Sequence, residues 1–179
     1  MDGPADHDLM ARAAKGDERA FRTLAERHAG SALRLARRIL GNEAAAEDIV
    51  QDAFLRVWVN APRWRPDAAF RTWLYRIVVN LCLNAKRRVR DLPLDAAGQV
   101  ADPASGADEQ LRLRERDDRL AAAILGLPER QRAAVVLTYQ EGLSNADVAE
   151  VLDTSVSSVE TLLVRARRAL RAAFERDQA

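Results

Sequence analysis

The stretch at residues 89–110, "VRDLPLDAAGQVADPASGADEQ", collects two prolines, two glycines and five acids and has no sustained apolar period. Such a composition reads as a linker. On both sides of it Ala, Leu, Arg and Glu dominate, and strand-like alternation is missing, so both flanks read as helical. The acidic run carries on to residue 118. The sequence therefore predicts an all-α protein of two small helical domains, residues 1–88 and 119–179, joined by an acidic, flexible linker at 89–118.

The 179 residues are nearly half apolar and about a third charged, a globular composition with room for one domain or two small ones. The net charge of +1 is unevenly spread: the three segments carry about +5, −4 and 0, which suggests modules with different partners. The longest apolar stretch, "IVVNLCL", is far short of the ~20 residues of a membrane span. The acidic N-terminus has no apolar h-region of a secretory signal. One cysteine, Cys82, excludes an internal disulfide, and His7 and His28 have no metal-ligand spacing. A cytoplasmic protein without metal or cofactor is the simplest reading.

In the first domain, Phe21, Leu24, His28, Ala32, Leu35 and Ile39 recur at three- and four-residue steps and form one apolar stripe, which Gly41-Asn42 ends. The next helix buries Ala46, Ile49, Val50, Ala53, Phe54, Val57 and Trp58, leaving Glu47, Asp48, Gln51, Asp52 and Arg56 outside. This outer face is either solvated surface or a docking face. "APRWRPD" then breaks the period with two prolines. From Ala69 the helical period resumes with Phe70, Trp73, Leu74, Ile77 and Leu81 on one face. The opposite stripe carries Arg76, Asn80, Asn84, Arg87 and Arg88, amides and guanidiniums of the kind that bond base edges and phosphates. Six of the nine aromatics lie between residues 54 and 75. Most should be core. Trp64, however, sits between Arg63 and Arg65 in the proline-bounded loop, an arrangement suited to stacking an unpaired base while basic groups hold the backbone.

The second domain reads as four helices. Leu120, Ala123, Ile124 and Leu127 form a stripe stopped at Pro128; residues 129–140 bury Ala133, Val136, Leu137 and Tyr139. Ser144 and Asp147 form a capping-box-like start, and residues 145–152, a "DTS" turn and a helix from Val156 to about Phe174 make a helix-turn-helix pattern. Val159, Leu163, Ala166 and Leu170 face inward. Ser155, Ser157, Ser158 and Thr161 near the helix start suit bases, and Arg165, Arg167, Arg168 and Arg171 suit phosphates. A plain structural hairpin is the alternative.

Taken in order, "AEDIVQDAFLRVW", "FRTWLYRIVVNLCLNAKRR", "LPERQRAAVVLTYQEGLSNADVAEVL" and "SVETLLVRARRALR" resemble the extracytoplasmic-function (group IV) sigma factors of bacterial RNA polymerase, over about residues 9–174. The resemblance implies an alternative, non-enzymatic sigma factor with region 2 at 1–88 and a region 4 helix-turn-helix at 119–179. It implies that Glu47, Asp48, Gln51, Asp52, Phe54 and Trp58 dock core polymerase. It implies that Arg63, Trp64, Arg65, Arg76, Asn80, Asn84, Arg87 and Arg88 read and capture the minus-ten element. Ser155, Ser157, Ser158, Glu160, Thr161, Arg165 and Arg168 would read the minus-thirty-five element. It further implies control by an anti-sigma factor, typically membrane-anchored, with this chain itself a monomer or in 1:1 complex. Where many members have V-[KR]-S-R, this chain has Val159, Glu160, Thr161 and Leu162. Glu160 would accept from a cytosine amino group and repel a phosphate, which implies altered promoter specificity.

Two other readings are weaker. A conventional dimeric helix-turn-helix regulator leaves the aromatic loop without a purpose. An enzyme acting on nucleic acid lacks paired catalytic carboxylates, a glycine-rich phosphate loop or a metal set. Cys82, between Leu81 and Leu83, reads as a buried small residue ahead of a redox sensor.

Overall fold

A computed structural model describes residues 5–65, 69–90 and 108–176. Among the described residues there are eight α-helices and no strand: α1 (Asp6–Ala13), α2 (Glu18–Leu40), α3 (Glu43–Asn60), α4 (Phe70–Arg90), α5 (Asp108–Leu125), α6 (Glu129–Val135), α7 (Asn145–Val151) and α8 (Val156–Arg176). Most of the 89–118 linker lies outside the described residues. The part that is described is helical: α4 runs on to Arg90, and α5 starts at Asp108 instead of near residue 119. Its opening residues start with two acids, Asp108 and Glu109, which favour a helix N-terminus, and Glu109, Gln110, Leu111 and Arg112 are strong helix formers.

Caps set the breaks in the first half. Asp17 accepts from the Arg19 and Ala20 amides at 3.0 Å each and starts α2. Those backbone bonds, and the Arg12 guanidinium beside it, hold its carboxyl below the usual range. Gly41, at φ 70°, closes α2 in the left-handed region that favours glycine, and Asn42 accepts from the Ala45 amide to start α3. Leu24, Leu35, Ile39, Val57, Leu74, Tyr75, Val78 and Val79 are fully buried between α2, α3 and α4.

Helix α1 falls in the flank read as helical, but the sequence reading did not single it out as a separate element. It is short, and its order comes from tertiary contact: Leu9, Met10 and Ala13 are buried, and Asp6 meets His28 at 2.7 Å and also Arg27. Two apolar assignments in the second half need correction. Tyr139 is 58% exposed: residues Val136–Gln140 form a π-helical turn, in which the Glu141 amide bonds the Val136 carbonyl and the 3.6-residue register is lost. Leu120 is 41% exposed, because α5 becomes buried only from Ala123 and Ile124 onward, one turn later.

The two halves pack against one another, and their buried residues form one continuous cluster. Helix α4 lies on α7 and α6, and α2 meets α5 and α6. Polar contacts fix this seam. Arg132 of α6, 5% exposed, donates to the Ile39 carbonyl at the end of α2 (2.6 Å), to the Leu127 carbonyl (2.9 Å) and to the Leu125 carbonyl. Glu141, its side chain 10% exposed, accepts from the Tyr75 hydroxyl (2.7 Å) and from Arg38 (3.1 Å). Burial, and then the bond to Glu141, push the Tyr75 phenol up to about 12. At Gly41 a Cβ would lie 2.9 Å from the Leu125 side chain, so a larger residue would force the halves apart there as well as strain the turn.

Replacing Arg132 with leucine removes three charge-assisted bonds and strands buried carbonyls. The expected cost is about 3–5 kcal/mol, read as a lower urea midpoint by circular dichroism. Lysine at the same position should recover only a small part, since an ammonium on a flexible stem cannot reproduce the planar fork.

Candidate nucleic-acid interface

The site is built where α3 ends and α4 begins. Pro62 forces a short 3-10 turn, Ala61–Arg63, after α3, and the Trp64 amide closes it on the Ala61 carbonyl at 3.2 Å. This turn and the helices around it line a cleft of about 540 Å3: Arg56 and Asn60 from α3, Arg63, Trp64 and Arg65 from the turn, Trp73, Ile77 and Asn80 from α4, and Glu150 from α7. Its size falls in the range of ligand pockets. Trp64 and Trp73 are half-buried at the edge of the core, so each ring is anchored by packing and still reaches the cleft. Arg63 and Arg65 are exposed, and neither forms an ion pair with any other described residue.

Helix α4 separates two jobs by face. Val78, Val79, Leu81 and Cys82 are buried, whereas Asn80, Asn84 and Arg87 are exposed and Arg76 is partly so. The polar stripe is therefore real, but its members are not all free. Arg76 pairs with Asp153 at 3.3 Å, and Arg87 donates to the Asn84 side-chain oxygen at 2.5 Å. The Arg88 side chain lies outside the described ones. Sequence reasoning missed Arg56, Asn60 and Ile77 as cleft residues and assigned Trp73 to the core alone. The Asn60 side-chain amide donates to the Arg56 backbone carbonyl at 2.8 Å, one turn back.

The α3 surface holds the second set. Glu47, Asp48 and Gln51 are exposed, and Asp52 makes a two-pronged bond to Arg56 at 3.0 and 3.1 Å. Phe54 and Trp58 are half-buried, with ring centroids 6.4 and 5.0 Å from that of Phe21. Beside the acids stand Leu55 and Val59, 65% and 72% exposed, which the sequence reading passed over. Their i, i+4 spacing on a face already carrying charge was the available signal.

In the second half the capping box forms as expected: the Asp147 amide bonds the Ser144 hydroxyl, and the Ser144 amide bonds the Asp147 carboxylate. The turn before α8 uses Asp153 at φ 50°, a conformation that Asp tolerates better than most side chains, and the Thr154 amide returns to the Ala149 carbonyl at 3.0 Å. Ser155 accepts from the Ser158 amide and clusters with the Ser157 and Ser158 hydroxyls. Thr161 is tied back to the Ser157 carbonyl, whereas Glu160, Arg165 and Arg168 are exposed on the face opposite buried Val159, Leu163 and Ala166.

A basic, aromatic cleft in one helical module and a helix-turn-helix in another, on one chain, make a two-module nucleic-acid-binding architecture. Comparison with known proteins gives it a family. Residues 24–91 match Sigma-70 region 2, and residues 117–170 match Sigma-70, region 4. The chain is 38% identical to the RNA polymerase sigma factor CnrH of Cupriavidus metallidurans, over 97% of this chain and 96% of that protein. It is 37% identical to the ECF RNA polymerase sigma factor SigW of Bacillus subtilis, over 88% and 90%. A solved structure of CnrH in complex with the cytosolic domain of CnrY superposes with a TM-score of 0.71 at 34% identity, covering 97% of this chain and 99% of that one. The chain belongs to the extracytoplasmic-function family of RNA polymerase sigma factors.

The redox reading of Cys82 loses its ground here: the thiol is buried, and desolvation raises its pKa to about 12. Native protein should thus resist a thiol-specific disulfide reagent near neutral pH and react once urea unfolds it. Fast labelling of the folded chain would show that the α4 core face opens.

Proposed function

We propose that this chain is an alternative sigma factor that binds core RNA polymerase through α3 and its neighbours and directs promoter-specific initiation without catalysing a reaction itself. The observation that carries this reading is the cleft in which Trp64 and Trp73 stand among Arg56, Arg63 and Arg65, within a stretch matching region 2. Stacking unpaired bases on such rings contributes ~1–3 kcal/mol each. Opening duplex costs a few kcal/mol per unstacked step, so several contacts must cooperate.

In this reading Glu47, Asp48, Gln51, Asp52, Phe54 and Trp58, joined by exposed Leu55 and Val59, form the polymerase-docking face. Arg63, Trp64, Arg65, Arg76, Asn80, Asn84, Arg87 and Arg88 serve the minus-ten element. The start of α8, with Ser155, Ser157, Ser158, Glu160 and Thr161, meets the minus-thirty-five element in duplex form, and Arg165 and Arg168 meet phosphates. Glu160 favours a cytosine on the strand it faces. The domain limits 1–88, 89–118 and 119–179 belong to the same reading. An anti-sigma factor, typically membrane-anchored, completes the cycle; the likeness to CnrH, solved with the cytosolic domain of CnrY, supports that partner. The chain acts in the cytoplasm, as a monomer or in 1:1 complex. Among the described residues, no helix is long and apolar enough to cross a membrane.

Co-elution of the chain with core polymerase, followed by permanganate footprinting on a promoter it transcribes, tests this. Trp64→Ala should lower the melted fraction about tenfold while leaving polymerase binding nearly unchanged. Equal loss of both would make Trp64 a core residue and remove its role in strand capture.

A further inference from the structure

A chain of contacts runs from the first turn of α1 to one of the rings of the cleft. The His28 Nε2 donates to Asp6 Oδ2 at 2.7 Å, the proton lying on the imidazole because a carboxylate only accepts. The other Asp6 oxygen accepts from Arg27. The buried His28 ring packs against buried Phe70, ring centroids 5.0 Å apart, and Phe70 packs against Trp73 at 6.0 Å. Trp73 lines the cleft. Helix α1 also lies directly against the Ala61–Arg63 turn that leads into Trp64. Both aromatic walls of the cleft therefore rest on α1, one directly and one through His28.

We propose that Asp6 and His28 are positioning residues for strand capture: their bond fixes the His28 ring, which seats Phe70 and thereby holds Trp73 at the wall of the cleft. The inference rests on the strand-capture reading of that cleft. An imidazole turns over a broad range about its last side-chain torsion, so packing alone does not set its plane. The bond to Asp6 does, and Arg27 on the second carboxylate oxygen keeps the acceptor from swinging away. Ring planes matter here because aromatic pairs prefer tilted or offset geometry; His28 meets Phe70 at 60° and Phe70 meets Trp73 at 58°. Phe70 and Trp73 stand one turn apart on α4, on neighbouring positions of its surface, so a displaced Phe70 ring displaces Trp73.

The test is fluorine NMR of the full chain labelled with 5-fluorotryptophan, read beside permanganate footprinting of a promoter with the chain bound to core polymerase. The three tryptophans give three resonances, assigned by single changes to phenylalanine. Asp6→Ala should displace the Trp73 resonance and lower the melted fraction about threefold, the order of one aromatic contact, with polymerase binding kept. Asp6→Asn, which still offers an oxygen to His28, should restore most of both. Leu9→Ala removes apolar packing from the same helix and leaves the polar contact in place; it should lower the urea midpoint without displacing the Trp73 resonance. A resonance and a melted fraction that ignore Asp6→Ala overturn the proposal, as does failure of Asp6→Asn to rescue, or an equal displacement in Leu9→Ala, which would make the docking of α1 at large the cause. A displaced resonance with normal melting removes the positioning role; if Trp64→Ala melts the promoter normally as well, the strand-capture reading falls with it.

Discussion

The Arg132 guanidinium is the point on which the two halves depend. The last carbonyls of α2 have no partner within their own helix and form the negative end of its dipole. Arg132 reaches across from α6 to the Ile39 carbonyl there, and its other nitrogen holds the Leu125 and Leu127 carbonyls of its own domain. A charged group buried to this degree is tolerable only with its bonds in place. The same side chain therefore shapes the turn before α6 and docks that turn on α2, so local folding and domain contact are coupled. Lys86 of α4 feels the crowding: burial, and then the Arg132 charge, lower its pKa.

Helix α4 carries the consequence into function. One face, with Val78, Val79 and Cys82, is core; Tyr75 reaches Glu141 across the seam; Asn80 lines the cleft, and Arg76 pairs with Asp153 after α7. A helix with three occupied faces cannot shift one without the others. The arrangement of the second half is for that reason part of the state of the cleft, and Glu150 of α7, which lines it, is the visible link.

Much of the architecture was legible because it rests on local rules. The α2 stripe, the Gly41 stop, the Ser144–Asp147 capping box and the helix-turn-helix each follow from spacing or cap chemistry within a few residues. The exposed residues of α8 were placed correctly for the same reason, since burial of Val159, Leu163 and Ala166 fixes the opposite face. What escaped depends on partners distant in sequence. Helix α1 is held through Asp6 to His28; Arg132 has its meaning only once α2 ends nearby; Glu150 reaches the cleft, and Asp153 its partner Arg76, only when α7 lies on α4. Tyr139 was misplaced by a π-turn, which no 3.6-residue pattern announces. The helical start of α5 was hidden by the linker-like residues before it.

The central claim is that this seam holds the free chain in one arrangement. Pulsed electron resonance between spin labels at two exposed positions, Arg22→Cys on α2 and Arg167→Cys on α8, measures it directly, with buried Cys82 left unlabelled. The account predicts a single narrow distance distribution in the free protein. A broad distribution, as two domains swinging on a flexible linker would give, would contradict it.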